Sequence, residues 1–177
     1  MAVELWQLYN EDQTPKIGVG ATRDEAFGGL LHGASHVWIW RNSKAGTEML
    51  IQRRANDKHT WPGLLDIPAA GHINLGETPE EAAIRETKEE IGLDILAQDL
   101  VPVGVHHAHL TAPNGVIENE FQFLYLLELR GNHTFNLQTS EVSELLWMPF
   151  TEFKKQIALP NVFVPHGREY FSQIIEA

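Results

Sequence analysis

Apolar and polar positions alternate over short runs along most of this chain, a pattern that predicts strands joined by turns, with helices in only a few places. Residues 3–9 (VELWQLY) alternate as a strand, NEDQTPK reads as a turn, and IGVGA continues beyond it. HVWIWRN and EMLIQRR, split by SKAG, predict a hairpin of buried strands, while HTWPGLLD reads as a loop with a Pro-Gly turn and IPAAGHI as a short strand leading into a helix. LVPVGVHHAHL and VIENEFQFLYLLEL are long enough to pair antiparallel across the APNG turn, and SELLWMPF predicts a last strand ending at Pro149. FTEFKKQI and HGREYFSQIIEA are amphipathic at helical spacing. The pattern is α+β, a mixed sheet with helices packed on it, in a single domain over residues 1–177. Residues 1–30 form an N-terminal extension and residues 150–177 the C-terminal helices.

One helix is specified in detail. Thr78, Pro79 and Glu81 make a capping box with proline at the first helical position, and Gly92 supplies a left-handed C-terminal cap. Between them Ala83, Ile84, Thr87 and Ile91 fall within about 100° of one another, a stripe suited to packing on a sheet. Glu86, Glu89 and Glu90 project together on a second arc, because residues three and four apart share a face. Like charges at this spacing repel, by a few tenths of a kcal/mol on an open helix and by more when partly buried. Divalent cations relieve that repulsion, and a row of carboxylates on one rigid element can hold Mg²⁺ beside a diphosphate. A solvated acidic face is the competing reading of the same spacing.

Composition narrows the partners. The chain has 177 residues, 43% of them apolar, enough for a core, and 24 acidic against 13 basic residues give a formal charge of −11. That field repels a nucleic-acid polymer and anionic membranes, so an anionic small molecule needs local cations. Arg53, Arg54 and Lys58 supply them within six residues. With no cysteine there is no disulfide, thiolate metal site or thiol nucleophile, and no apolar run approaches the roughly 20 residues of a membrane span. A cytoplasmic protein is the expectation.

The segment from residue 71 to residue 93 resembles the signature of the Nudix hydrolases, G-x5-E-x7-R-E-U-x-E-E-x-G-U, in which U is a bulky aliphatic residue. Gly71, Glu77, Arg85, Glu86, Glu89, Glu90 and Gly92 occupy its fixed positions, Leu93 the last U, and Thr87 departs at the first U. The resemblance implies a Nudix fold whose loop-helix-loop holds Mg²⁺ or Mn²⁺ through Glu86, Glu89, Glu90 and the Gly71 carbonyl. It also implies that Arg85 orients a neighbouring glutamate, Glu77, and that a small organic or nucleoside diphosphate is hydrolysed. Glu89 or Glu86 is the expected base for the attacking water, with Glu120 next.

HGASHVWIW, LIQRR with the following lysine and WPG, AAGH and IENE further resemble the type I isopentenyl-diphosphate isomerases and the Nudix hydrolases most similar to them. That likeness implies a metal set of His32, His72, Glu118 and Glu120, with Arg54 and Lys58 on the phosphates. Ala70 stands where the isomerases have a cysteine that moves a proton, and alanine can do no such work. Glu25 falls near the place of an N-terminal metal histidine, for which His36 is an unsupported substitute. The expectation is therefore an isomerase-like scaffold doing hydrolysis, against two alternatives, an isomerase and a non-catalytic diphosphate-binding module. Relatives in this family often dimerise, which leaves a homodimer open. The segments expected to line the pocket are 10–30, 106–116 and 157–167. His106, His107 and His109 alternate on a strand, an arrangement that disfavours a shared metal.

Overall fold

The computed structural model describes residues 3–177. In chain order the strands are β1 (Trp6–Tyr9), β2 (Pro15–Ala21), β3 (His32–Ser43), β4 (Gly46–Arg54), β5 (Leu65–Asp66), β6 (Ala69–His72), β7 (Leu100–Thr111), β8 (Ile117–Glu128) and β9 (Val142–Pro149). The helices are α1 (Arg23–Ala26), α2 (Pro79–Ile91), α3 (Phe150–Gln156) and α4 (Arg168–Glu176), so the fold is α+β with a mixed sheet, as the hydropathy pattern predicts.

Strand β3 is the hub. It runs parallel to β8 from His32↔Glu120 to Trp40↔Glu128, and its other edge is shared by antiparallel β6 at residues 34–37 and β4 at residues 40–43. The β7–β8 hairpin forms across residues 112–116, whereas the parallel β3–β8 pair has no local signal, since its partners lie far apart in sequence. Alternation along β3 sends Val37 and Ile39 to one face and His36 and Trp38 to the other. The first face packs on α2 through Ala83 and Ile91; the second packs on α3 and α4 through Phe153, Tyr170, Phe171 and Ile174. The sheet is thus sandwiched between helices, and both cores are built around the same strand.

Helix α2 begins as the capping box predicts. Glu81 N donates to Thr78 Oγ1 at 3.2 Å, Thr78 N donates to Glu81 Oε2 at 2.8 Å, and Gly92 sits at φ 73°. Its start is pinned to the sheet by Ser35 Oγ, which donates to the Pro79 carbonyl at 2.6 Å. Thr87, in the place of a bulky aliphatic residue, is fully buried and donates its hydroxyl to the Ala83 carbonyl at 2.7 Å, so the substitution leaves no orphaned donor. The N-terminal strand is shorter than the pattern predicts and starts at Trp6, and the loop around Trp61 ends in the two residues of β5.

Candidate active site

Loop 73–78, α2 and the β-edge residues 69–72 place the carboxylates on one wall of a cleft of about 510 Å³. Glu86, Glu89, Glu90 and Gly71 line it from one side, Glu118 and Glu120 from β8, Arg54 from the end of β4 and Lys58 from the loop that follows. Arg85 organises the first group. Its Nε and Nη2 donate to the two oxygens of Glu77 at 2.8 and 2.9 Å, Nη2 also donates to the His72 carbonyl at 2.9 Å, and Nη1 reaches Glu86 and, at 3.3 Å, Glu89. This bidentate pairing with Glu77 raises the guanidinium pKa, so the charge is permanent.

Gly71 is required by space rather than by backbone angle. A Cβ there would lie 2.1 Å from Glu86 Cδ, so the carboxylate fills the volume a side chain would take. Glu90 is almost fully buried and accepts the Ala70 N–H at 3.1 Å. Burial raises the pKa of both Glu86 and Glu90; Glu86 adds to the rise at Glu90, whereas Arg85 opposes it at Glu86. Two carboxyls confined in this way favour a cation between them over two isolated charges.

The second cluster is His32, His72 and Glu120, whose ligand atoms lie within 4.8 Å of one another. His32 is fully buried and its Nδ1 stands 2.8 Å from the Leu30 carbonyl, an acceptor, so Nδ1 carries the proton. Its Nε2 has no hydrogen-bond partner among the described residues and faces Glu120 Oε2 at 3.3 Å. His72 Nε2 approaches the same oxygen at 3.6 Å. The His72 ring is stacked on Trp6 with centroids 3.5 Å apart, and loss of hydration drives its pKa down to about 3, although its side chain is still 27% exposed. Burial lowers the His32 pKa, but contact with Glu120 outweighs it and the net direction is upward, so the cluster draws positive charge into the space between the rings and the carboxylate. A metal ion supplies that charge, and a nitrogen-and-carboxylate donor set with the far nitrogen of His32 on a carbonyl fits one. Glu118, on the same strand face, is pushed up to about 7 by burial first and by Glu120 second. Glu120→Gln is expected to weaken Mn²⁺ binding by about 10-fold or more, read by calorimetry with no substrate present.

Both expected phosphate-binding cations already hold carboxylates. Arg54 Nη1 donates to Asp66 at 2.8 Å, and the guanidinium is tied twice to the Thr60 carbonyl and, at 3.4 Å, to the Thr60 hydroxyl, which leaves one Nη1 hydrogen for a ligand. Lys58 pairs with Glu141. Arg53 is placed differently from the expectation of substrate contact. It lies on the opposite face of β4 and pairs with exposed Glu144 at 3.2 Å, because adjacent strand residues point to opposite sides. Trp61, in the WPG turn, lines the cleft at φ 50°, a strained angle for an L residue, with its buried indole nitrogen unpartnered among the described residues.

Other expectations are corrected as well. Segment 106–116 contributes no lining residue; His107 and His109 face a separate surface groove, where His107 meets Asn119 at 2.8 Å. Glu25 caps α1 through Thr22, and His36 Nδ1 is committed to the Tyr170 hydroxyl, so neither completes the histidine cluster. Conversely Trp6, Phe27, Asp66, Glu141 and His166 line the cleft without having been singled out from sequence. Asp66 and His166 lie 100 residues apart and carry no local signal, yet His166 Nε2 and Asp66 Oδ1 are 2.8 Å apart.

Asp66 has a pKa far below the ordinary carboxylate range; burial opposes this, and His166 and Arg54 override it. A depressed folded pKa stabilises the fold above the unfolded value of about 4, and that stability declines as pH falls below it. Asp66→Asn is expected to lower stability by about 3 kcal/mol at pH 7, a gap that narrows from about pH 4 downward in urea titrations.

Glu86, Glu89 and Glu90 of α2, the His72 and Glu120 members of the histidine–glutamate cluster and the cations Arg54 and Lys58 thus share one cleft. The NUDIX domain family matches residues 30–168 of the chain. The chain belongs to the Nudix family; the seven fixed positions of the signature are occupied, and Thr87 replaces its first aliphatic residue. Nudix hydrolase 3 of Arabidopsis thaliana is 33% identical over 157 residues, 85% of this chain and 20% of that protein, so the chain spans about a fifth of that relative's length. Isopentenyl-diphosphate Delta-isomerase of Salmonella heidelberg is 34% identical over 137 residues, covering 76% of this chain and 72% of the isomerase. Among solved structures, DR0079 from Deinococcus radiodurans superposes with a TM-score of 0.70 at 22% identity, over 97% of this chain and 98% of that one. A C. elegans Ap4A hydrolase binary complex gives a TM-score of 0.59 at 21% identity, over 81% and 93%. These two share the fold. No helix of the described residues is long and apolar enough to cross a membrane.

Proposed function

We propose that the protein is a Mg²⁺- or Mn²⁺-dependent hydrolase of a small organic or nucleoside diphosphate. The observation that carries this reading is the convergence of Glu86, Glu89, Glu90 and the Gly71 backbone on one cleft wall, with Arg54 and Lys58 across from them. A bound divalent cation would supply positive charge to the diphosphate oxygens and acidify water near them. Glu86 and Glu90, with the Gly71 carbonyl, are the residues to hold it; His32, His72 and Glu120 are suited to a second ion. Glu89 is the most exposed of Glu86, Glu89 and Glu90, with its side chain 54% exposed, and takes a proton from water as the water oxygen closes on phosphorus. The anhydride P–O bond breaks and phosphate or a phosphomonoester departs. Arg54, through its free Nη1 hydrogen, and Lys58, exchanging Glu141 for the ligand, stabilise the charge on the departing group. Arg85 holds Glu86 and Glu77 in place throughout.

Isomerisation of isopentenyl diphosphate is the second reading, favoured by the Salmonella relative. Ala70 opposes it: the residue lines the cleft with a methyl group where a proton carrier is needed. A panel of nucleoside diphosphates, nucleotide sugars, dinucleotides and prenyl diphosphates, assayed for phosphate release with and without Mg²⁺, tests the proposal. Conversion to dimethylallyl diphosphate with no phosphate released would replace it by the isomerase reading, and binding with no turnover by that of a binding module.

A further inference from the structure

The cleft wall away from α2 carries polar groups that hydrolysis leaves unused. His36 Nδ1 lies 2.8 Å from the Tyr170 hydroxyl, which lies 2.9 Å from Trp38 Nε1. An indole N–H can only donate, so the buried hydroxyl oxygen accepts it; with no other acceptor for its own proton among the described residues, the hydroxyl gives that proton to His36 Nδ1. The tautomer of His36 is thereby fixed, with the proton on Nε2. Burial, followed by repulsion from His166, takes the His36 pKa down to about 4, in keeping with a neutral ring.

His166 enters from the loop before α4. Its ring stacks on Tyr170 with centroids 4.5 Å apart and lies edge-on to His36 at 5.6 Å. Its Nε2 is taken by Asp66, and its Nδ1 has no partner among the described residues. Gln122, 2% exposed, donates its amide to Glu120 at 2.7 Å, while its buried Oε1 has no partner among the described residues. An orphaned buried carbonyl costs about 1–3 kcal/mol unless something fills it. Ala70 pairs with His36 in the β3–β6 register and lines the cleft with a single methyl group. All four residues line the cleft.

We propose that His36, Gln122 and His166 form a specificity subsite for a hydroxylated sugar attached to the diphosphate, with Asp66 positioning His166. A hydroxyl both donates and accepts, which matches a fixed N–H and an open carbonyl on the same cleft; a hydrocarbon chain would leave both unpaired. The placement of the diphosphate rests on the hydrolase reading, and the residues of the subsite do not.

The test compares kcat/KM for UDP-glucose, which has a sugar on either side of its diphosphate, with that for geranyl diphosphate, which has none. His166→Leu and Gln122→Leu should each lower the ratio of the two by about tenfold. Asp66→Asn should lower it through KM and shift the His166 imidazole NMR signals. Thermal melts confirm folding, and His166→Asn replaces any leucine variant that fails to fold. An unchanged ratio in folded His166 and Gln122 variants overturns the subsite. If the wild type turns over neither compound, calorimetric affinities with Mg²⁺ decide the subsite, and the hydrolase reading fails by itself only when the rest of the panel also gives no phosphate. Tighter binding of UDP-glucose than of geranyl diphosphate, lost by about tenfold in His166→Leu, supports it; equal affinities in both proteins overturn it.

Discussion

Glu89→Gln is expected to lower diphosphate hydrolysis by about 10³-fold while leaving Tm within a few degrees of wild type. The two effects separate because Glu89 is linked to the fold by one contact, the 3.3 Å approach of Arg85 Nη1, and its side chain is 54% exposed. Glutamine keeps the size and the acceptor oxygen but loses the charge that attracts a cation and the basicity that takes a proton. Phosphate release measured beside a thermal melt checks both halves. Full activity in the variant would remove Glu89 as base and return the role to Glu86 or Glu120.

Gly71→Ala is expected to reduce activity by at least about 10²-fold and to destabilise the protein by about 1–3 kcal/mol, or several degrees in Tm. The cause is steric. The added methyl would stand 2.1 Å from Glu86 Cδ and 2.2 and 2.6 Å from its oxygens, and the carboxylate is hemmed in by Arg85. Gly71 has no positive φ, so no strain in the backbone confuses the reading. Adding Glu86→Ala to Gly71→Ala empties the contested volume and should return much of the stability but none of the activity. Additive losses in that double variant would place the damage somewhere other than the Gly71–Glu86 contact.

The loop-helix-loop was legible in the sequence because everything that specifies it is local. Thr78, Pro79 and Glu81 fix where α2 starts and Gly92 where it ends; the spacing of Ala83, Thr87 and Ile91 fixes which face is buried, and so where Glu86, Glu89 and Glu90 point. Glu118 and Glu120 were legible for a similar reason, since period-two alternation puts them on one side of β8. The same rule separates Arg53 from Arg54, and applying it to the cluster of cations would have taken Arg53 off the cleft.

The residues that sequence reasoning passed over belong to contacts between distant segments. Trp6 covers His72, Glu141 holds Lys58, and His166 meets Asp66 only because α4 packs across the β3 face that carries His36 and Trp38. A lone histidine in HGREYF has no spacing that announces a partner 100 residues upstream. By itself the sequence determined the elements, the capped acidic helix and the chemistry of one wall, because capping, periodicity and charge repulsion act over a few residues. The tertiary structure alone decided the opposite wall. The parallel pairing of β3 with β8 and the docking of the C-terminal helix bring its groups together, and both depend on burying apolar surface from segments about a hundred residues apart.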